Sequence, residues 1–118
     1  MTPDTQSDQL LLEHIYECIE RIQEYTGGER ATFFASRMVQ DAVMRNLQTL
    51  AESTQRLSTV LKNTEQDVPW RAVAGFRNVL AHDYLHVDLE VVWTVVDRDL
   101  PELASAVERM VRSPRSSE

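Results

Sequence analysis

The chain has 118 residues, 42% hydrophobic and 26% charged, with a net charge of −7. That length suits a single domain with one modest core, here expected over residues 1–118. The charge argues against broad non-specific nucleic-acid binding, which needs many Lys and Arg contacts to phosphate. Cys18 is the sole cysteine, so one chain can form neither a disulfide nor a Cys-based metal site, and Cys18 reads as a small buried hydrophobe. No apolar run nears the roughly 20 residues needed to span a bilayer, and the polar start does not resemble a signal peptide, so a cytoplasmic protein without membrane contact is expected.

Residues 1–7 read as a frayed tail. Ser7 or Asp8 can cap a first helix running to about Tyr25. Leu12, Ile15, Ile19 and Ile22 recur at helical spacing, and Glu13, Glu17, Glu20 and Glu24 fill the other face. His14 has no second ligand type at coordinating spacing, so a solvent-facing or packing role is expected. Thr26-Gly27-Gly28 ends this helix.

A second, long helix is expected from about Thr32 to Lys62, with Phe34, Met38, Ala42 and Leu50 on its apolar face and room for a kink near Ser53-Thr54. Charge is uneven. Residues 1–29 hold seven acidic groups and one basic, whereas residues 30–62 hold five basic and two acidic. An anionic ligand should therefore meet the second segment, or a local cluster around Arg71 and Arg77. Asp41 and Arg45 have the spacing of a helix-surface ion pair. The alternative is that Arg37 and Arg45, eight residues apart and nearly in line, edge an anion-binding groove.

After the polar connector 63–68, a third helix is expected from about Pro69 to Ala81, with Trp70, Val73, Ala74 and Phe76 on its apolar side. Gly75 lies inside it at a cost of roughly 1 kcal/mol against Ala, which suggests a close helix–helix contact. The last helix is expected from about Leu89 to Val111. The stretch 91–96 has a competing strand preference, and Pro101 predicts a kink or break near Asp99-Leu100. Residues 113–118 read as a flexible tail. The fold expected is all-α, an antiparallel four-helix bundle.

The chemically capable side chains concentrate in Arg77, Asn78, His82, Asp83 and Tyr84. His works as an acid or base near neutral pH, and Arg offers a fork for phosphate. No Gly-rich phosphate loop or spaced carboxylate pair for Mg²⁺ stands nearby, so metal-independent phosphodiester chemistry without a cofactor is the fitting class. On RNA, a His can activate the 2′-OH while an Arg stabilises the crowded phosphorus. Positions five apart on a helix differ by about 140° in direction, so Arg77 and His82 should not converge within one straight helix. Either the helix ends near Ala81, or the pair forms across a two-fold axis.

The stretch Arg77-Asn78-Val79-Leu80-Ala81-His82-Asp83-Tyr84 contains the R-x4-H-x-Y pattern, and it resembles HEPN ribonuclease toxins of the HepT type. Val68-Pro69-Trp70-Arg71, Ala74-Gly75-Phe76 and 41–47 are also similar to that family, and Ala51-Glu52-Ser53 departs from a Gly-Glu-Ala-like step. The resemblance implies a dimeric HEPN-type bundle and cleavage of tRNA or mRNA by Arg77 and His82, with Asn78 and Asp83 in support and Arg37, Arg45 and Arg71 as RNA contacts. It implies a type VII toxin–antitoxin system, in which an MntA-type nucleotidyltransferase antitoxin silences the nuclease by transferring AMP to Tyr84, the partners forming a homodimer or a larger hetero-oligomer with the antitoxin. The competing reading is a non-catalytic helical module that binds a nucleotidyltransferase or a nucleotide.

Overall fold

The computed structural model describes residues 3–82 and 88–112, with side chains over 7–76 and 88–112. The described residues are mostly helical and contain no strand. Helix α1 spans Pro3–Thr26, α2 Arg30–Ala35, α3 Arg37–Arg56, α4 Thr59–Lys62, α5 Trp70–His82, α6 Leu89–Thr94 and α7 Leu100–Arg112. Four long helical stretches form the bundle: α1, α3, α5, and α6–α7 together. α1 packs chiefly on α3 and also on α7, and α5 packs on α3.

The apolar stripe of α1 is buried as its periodicity requires: Leu12, Ile15, Cys18, Ile19 and Ile22 are at most 4% exposed. Burial pushes the Cys18 thiol up, only partly offset by Arg21, as suits a core residue. α1 starts four to five residues before the expected Ser7 or Asp8, because Pro3 is pre-set for a first helical turn. Asp8 is therefore no cap of α1. It is 2% exposed, and its carboxylate accepts from the Ser58 N–H at 2.9 Å and the Ser58 hydroxyl at 2.6 Å. His14 packs: its Nδ1 lies 2.9 Å from the Ser53 hydroxyl, and its Nε2 faces the Cys18 thiol. Gly27 and Gly28 both take left-handed φ, 62° and 72°, which ends α1 as read from sequence.

The single helix expected over Thr32–Lys62 is cut twice. Ser36 adopts extended backbone and its hydroxyl accepts from the Val39 N–H at 3.2 Å, so it ends α2 and caps α3. Ser58 does the same for α4, accepting from the Leu61 N–H. This second break falls after Ser53-Thr54, since the Thr54 hydroxyl bonds back to the Ala51 carbonyl and stays in the helix. The first break changes the phase of the apolar face. Phe33 becomes the fully buried ring, stacked 5.6 Å from Trp93, while Met38 is 78% exposed.

The 91–96 run is helical, not strand. The expected disturbance before Pro101 takes the form of a π-turn over Val95–Asp99. The Leu100 N–H reaches the Val95 carbonyl, five residues back. Pro101 can neither donate to the Asp97 carbonyl nor fit tightly against it, and one wider turn relieves that clash without ending the helix. Gly75 gives another correction: a Cβ built there would meet nothing within 4 Å among the described residues, so no close helix contact among them explains it.

Two outcomes follow. Asp8→Ala leaves the Ser58 amide and hydroxyl without their acceptor and should cost about 1–3 kcal/mol, read as a lowered urea midpoint. Gly75→Ala should raise stability by about 0.5–1 kcal/mol in the same assay, since the added methyl meets no neighbour and the helix gains propensity.

Candidate functional site

Helix α5 carries Arg77, Asn78 and His82, with His82 its last residue. Its first turn is anchored from several directions. The chain leaves α4 through a 3₁₀ turn over Asn63–Glu65. The Val68 N–H bonds to the Glu65 carbonyl at 3.2 Å, and the Trp70 N–H to the Val68 carbonyl at 2.8 Å. The Trp70 indole then turns back, its N–H shared between the carbonyls of Lys62 at 3.2 Å and Glu65 at 3.1 Å. Pro69 is the residue before the helix, and its carbonyl accepts from Val73. Val68 and Val73 bury their side chains beneath.

Glu65 is itself held by Arg109 of α7. The Arg109 guanidinium grips both carboxylate oxygens, with Nε at 3.1 and 3.0 Å and Nη2 at 2.7 Å. These hydrogen bonds, helped by the guanidinium charge and opposed by burial, hold the Glu65 carboxyl below the usual carboxylate range.

On the other side of the motif, Asp88 caps α6 by accepting from the Glu90 N–H at 2.9 Å. The Glu90 carboxylate takes a two-pronged bond from Arg30 of α2, with Nη1 at 2.9 Å from Oε1 and Nη2 against Oε2. Arg30 also lies 4.4 Å over the Phe34 ring. Its hydrogen bonds, and then its charge, hold the Glu90 carboxyl low. Arg–Glu pairs thus stand both before and after the stretch that contains α5. They join residues 44 and 60 apart, separations at which no local sequence pattern exists to reveal them.

The sequence-predicted residues divide as follows. Arg77, Asn78 and His82 share one uninterrupted helix, which runs one residue beyond the expected end at Ala81. Asp83 and Tyr84 lie outside the described residues. Arg37, Arg45 and Arg71 are exposed. The expected Asp41–Arg45 ion pair is absent among the described residues, as is any other for these three arginines. Nor are Arg37 and Arg45 in line, because eight residues overshoot two turns by about 80°. Arg30 is spent on Glu90, so the basic segment offers Arg37, Arg45 and Arg56 as guanidinium groups uncommitted among the described residues.

A cavity of about 270 Å³ opens between α5 and α7, walled by Val73, Phe76 and Leu103 and edged by Asp67, Asp99, Glu102 and Arg109. Burial raises the Asp99 carboxyl, and Glu102 adds to the rise. An edge with three acids and one base does not suit a polyanion.

The family model for HepT-like ribonucleases matches residues 15–110. The chain belongs to the HepT-like family. Its relatives include a Thermococcus cleftensis protein named "Probable ribonuclease HepT", 34% identical over 100 residues that cover 84% of this chain and 91% of that one. A Caldanaerobacter subterraneus protein named "Putative RNase" is 28% identical over 105 residues, covering 88% and 94%. A Methanocaldococcus jannaschii protein named "Gamma-glutamylcyclotransferase and putative RNase" is 35% identical over 100 residues, and the match spans 84% of this chain but 45% of that longer one. No solved structure matches the chain. The family membership accords with the all-α bundle.

The bridges make stability pH-dependent. Glu65 and Glu90 have folded pKa values below their unfolded ones, so their contribution is complete above the unfolded carboxylate range, about 4.3, and is lost as pH falls through the folded values. Urea midpoints should therefore drop below about pH 4, and Glu65→Gln with Glu90→Gln should flatten that part of the profile.

Proposed function

We infer that this chain is a ribonuclease, and that it is the toxin half of a two-protein system. The observation that carries the reading is membership of the HepT-like ribonuclease family over residues 15–110, combined with an intact Arg77–His82 pair on an anchored helix. Arg77 and His82 are the reacting pair. The His82 imidazole takes the proton of a ribose 2′-OH, and the oxygen attacks the adjacent phosphorus. The 5′-oxygen leaves with a proton and a 2′,3′-cyclic phosphate remains. Arg77 stabilises the charge gathered on the phosphoryl oxygens. Asn78 and Asp83 orient the imidazole or the RNA, and Arg37, Arg45 and Arg71 supply backbone contacts. No metal is required in this scheme.

Two copies complete one site. Arg77 and His82 occupy positions about 140° apart around a continuous helix, which supports convergence between the two helices of a symmetric dimer over convergence within one. The number of uncommitted cations near the motif is small, which suits a composite cleft that takes one RNA segment and not a surface that coats nucleic acid.

Regulation acts on Tyr84. An MntA-type nucleotidyltransferase transfers AMP from ATP to the phenol: the tyrosyl oxygen bonds to the α-phosphorus and pyrophosphate leaves. Two residues from His82, the added nucleotide sets a bulky anion where the RNA phosphate would lie, and cleavage stops. The chain then acts in the cytoplasm as a type VII toxin.

Purified protein should cleave tRNA or mRNA in the presence of EDTA. Arg77→Ala and His82→Ala should each lower the rate at least about 100-fold with unchanged helix content by circular dichroism. Full cleavage by either variant would sink the assignment, while stable binding of a nucleotidyltransferase without RNA turnover would favour the non-catalytic module. Mass spectrometry after co-expression with the partner should find AMP on Tyr84 and none on a Tyr84→Phe variant.

A further inference from the structure

α1 and α7 run antiparallel, and their outer faces leave a groove between them. The Tyr16 hydroxyl donates to Glu108 across it at 3.0 Å. Near the α7 start the groove is an open trough of about 910 Å³ over Ile19, Pro101 and Ala104. On the other side of Tyr16 it continues as about 590 Å³ next to Val111. The two parts share Tyr16 and Glu17. From Glu13 to Glu24 the groove is about 16 Å long at 1.5 Å per residue, the span of three helical turns.

Its floor and rim differ in chemistry. Ile19 is 4% exposed, and Tyr16 and Ala104 are half-buried, so the base is apolar or aromatic. The rim carries Glu13, Glu17, Glu20, Glu24 and Glu108 against Arg21 and Arg112. Arg21 is already 3.9 Å from Glu17. An apolar floor beside an acidic α1 wall selects its occupant by charge, the α7 side adding one acid, Glu108, and one base, Arg112. RNA phosphate is repelled. A second copy docked face to face would set acid against acid, since an isologous contact uses one patch twice. A second copy docked by another face would build a ring or an open chain, visible as self-association in sedimentation. What remains complementary is an amphipathic helix with Leu-type residues on one side and Lys or Arg flanking them.

We propose that the α1–α7 groove is a docking site for a basic amphipathic helix of a different protein. The groove faces away from the side of α7 that borders α5, where Asp99, Glu102 and Arg109 line the neighbouring cavity. A docked partner would therefore leave α5 accessible. The proposal stands independently of the ribonuclease reading, because it concerns neither Arg77 nor His82.

The test is a titration of the full chain with a synthetic helix-period Leu/Lys peptide of about 18 residues, followed by amide NMR and calorimetry. A counterpart with every Lys replaced by Glu is the control. Saturable one-to-one binding is expected, with shifts at Tyr16, Ile19, Ala104 and Val111, and none with the acidic peptide. The combined Glu17→Lys, Glu20→Lys and Glu24→Lys variant should weaken binding about tenfold or more, as should Ala104→Trp, whereas Asp41→Lys on α3 should leave it unchanged. The charge variant alters exposed positions only and keeps the test decisive should Ala104→Trp not fold. Shifts centred on α3 or α5, equal binding by the charge variant, or sedimentation showing self-association lost in that variant would each overturn the proposal.

Discussion

The Trp70 indole N–H, shared between the carbonyls of Lys62 and Glu65, is the interaction on which the placement of α5 depends. It closes the connector onto the helix that follows, so the helix begins at a fixed point. The carbonyls it uses belong to the end of a helix and a 3₁₀ turn, where acceptors have spare capacity, and the Glu65 carbonyl also takes the Val68 N–H. The same Glu65 that presents a carbonyl to Trp70 presents its carboxylate to Arg109. One residue thus couples the start of α5 to α7. Pro69 could cap nothing, yet it fixes φ just before the helix and lets the indole swing back. α5 gains rigidity from neighbours on both sides without a large core of its own.

Electrostatics divides the molecule. The acids of α1 dominate one side, while α3 and the start of α5 carry arginines without an ion pair among the described residues. A protein with a net charge of −7 can still attract an anion locally, because screening at physiological salt limits each patch to a range of about 8 Å. The separation also means that occupants of opposite charge need not compete. Arg30 is instructive here: counted in sequence, it belongs to the basic segment, but folding pairs it with Glu90 and removes it from that supply.

Much of the architecture was legible in the sequence, for identifiable reasons. The α1 stripe is strictly periodic and is buried as read, and the Gly27-Gly28 stop and the Pro101 disturbance follow from backbone chemistry that no distant contact overrides. The two serine breaks were not legible. Ser36 and Ser58 sit in apolar-periodic surroundings, and each ends a helix because its hydroxyl finds an amide three residues on; for Ser58, Asp8 from 50 residues away fixes the choice. The misplaced start of α1 has the same root, since Asp8 read as its cap serves a different helix. The R-x4-H pattern identified the helix of interest because it is local. What holds that helix was hidden, because Trp70 looks like any core aromatic and Arg109 like any surface cation.

Helix α1 bonds across almost the whole chain: Tyr16 reaches Glu108, 92 residues away, and its stripe packs on α3 and α7. Local helices usually give low contact order and fast folding. Here α1 finds part of its cover only when α7 emerges. Until then, part of the Leu12–Ile22 stripe has no final partner, and the nascent protein carries an exposed apolar seam behind a wall of glutamates. Those glutamates repel other nascent copies, so the acidic face that decorates the finished fold also guards the unfinished one against self-association.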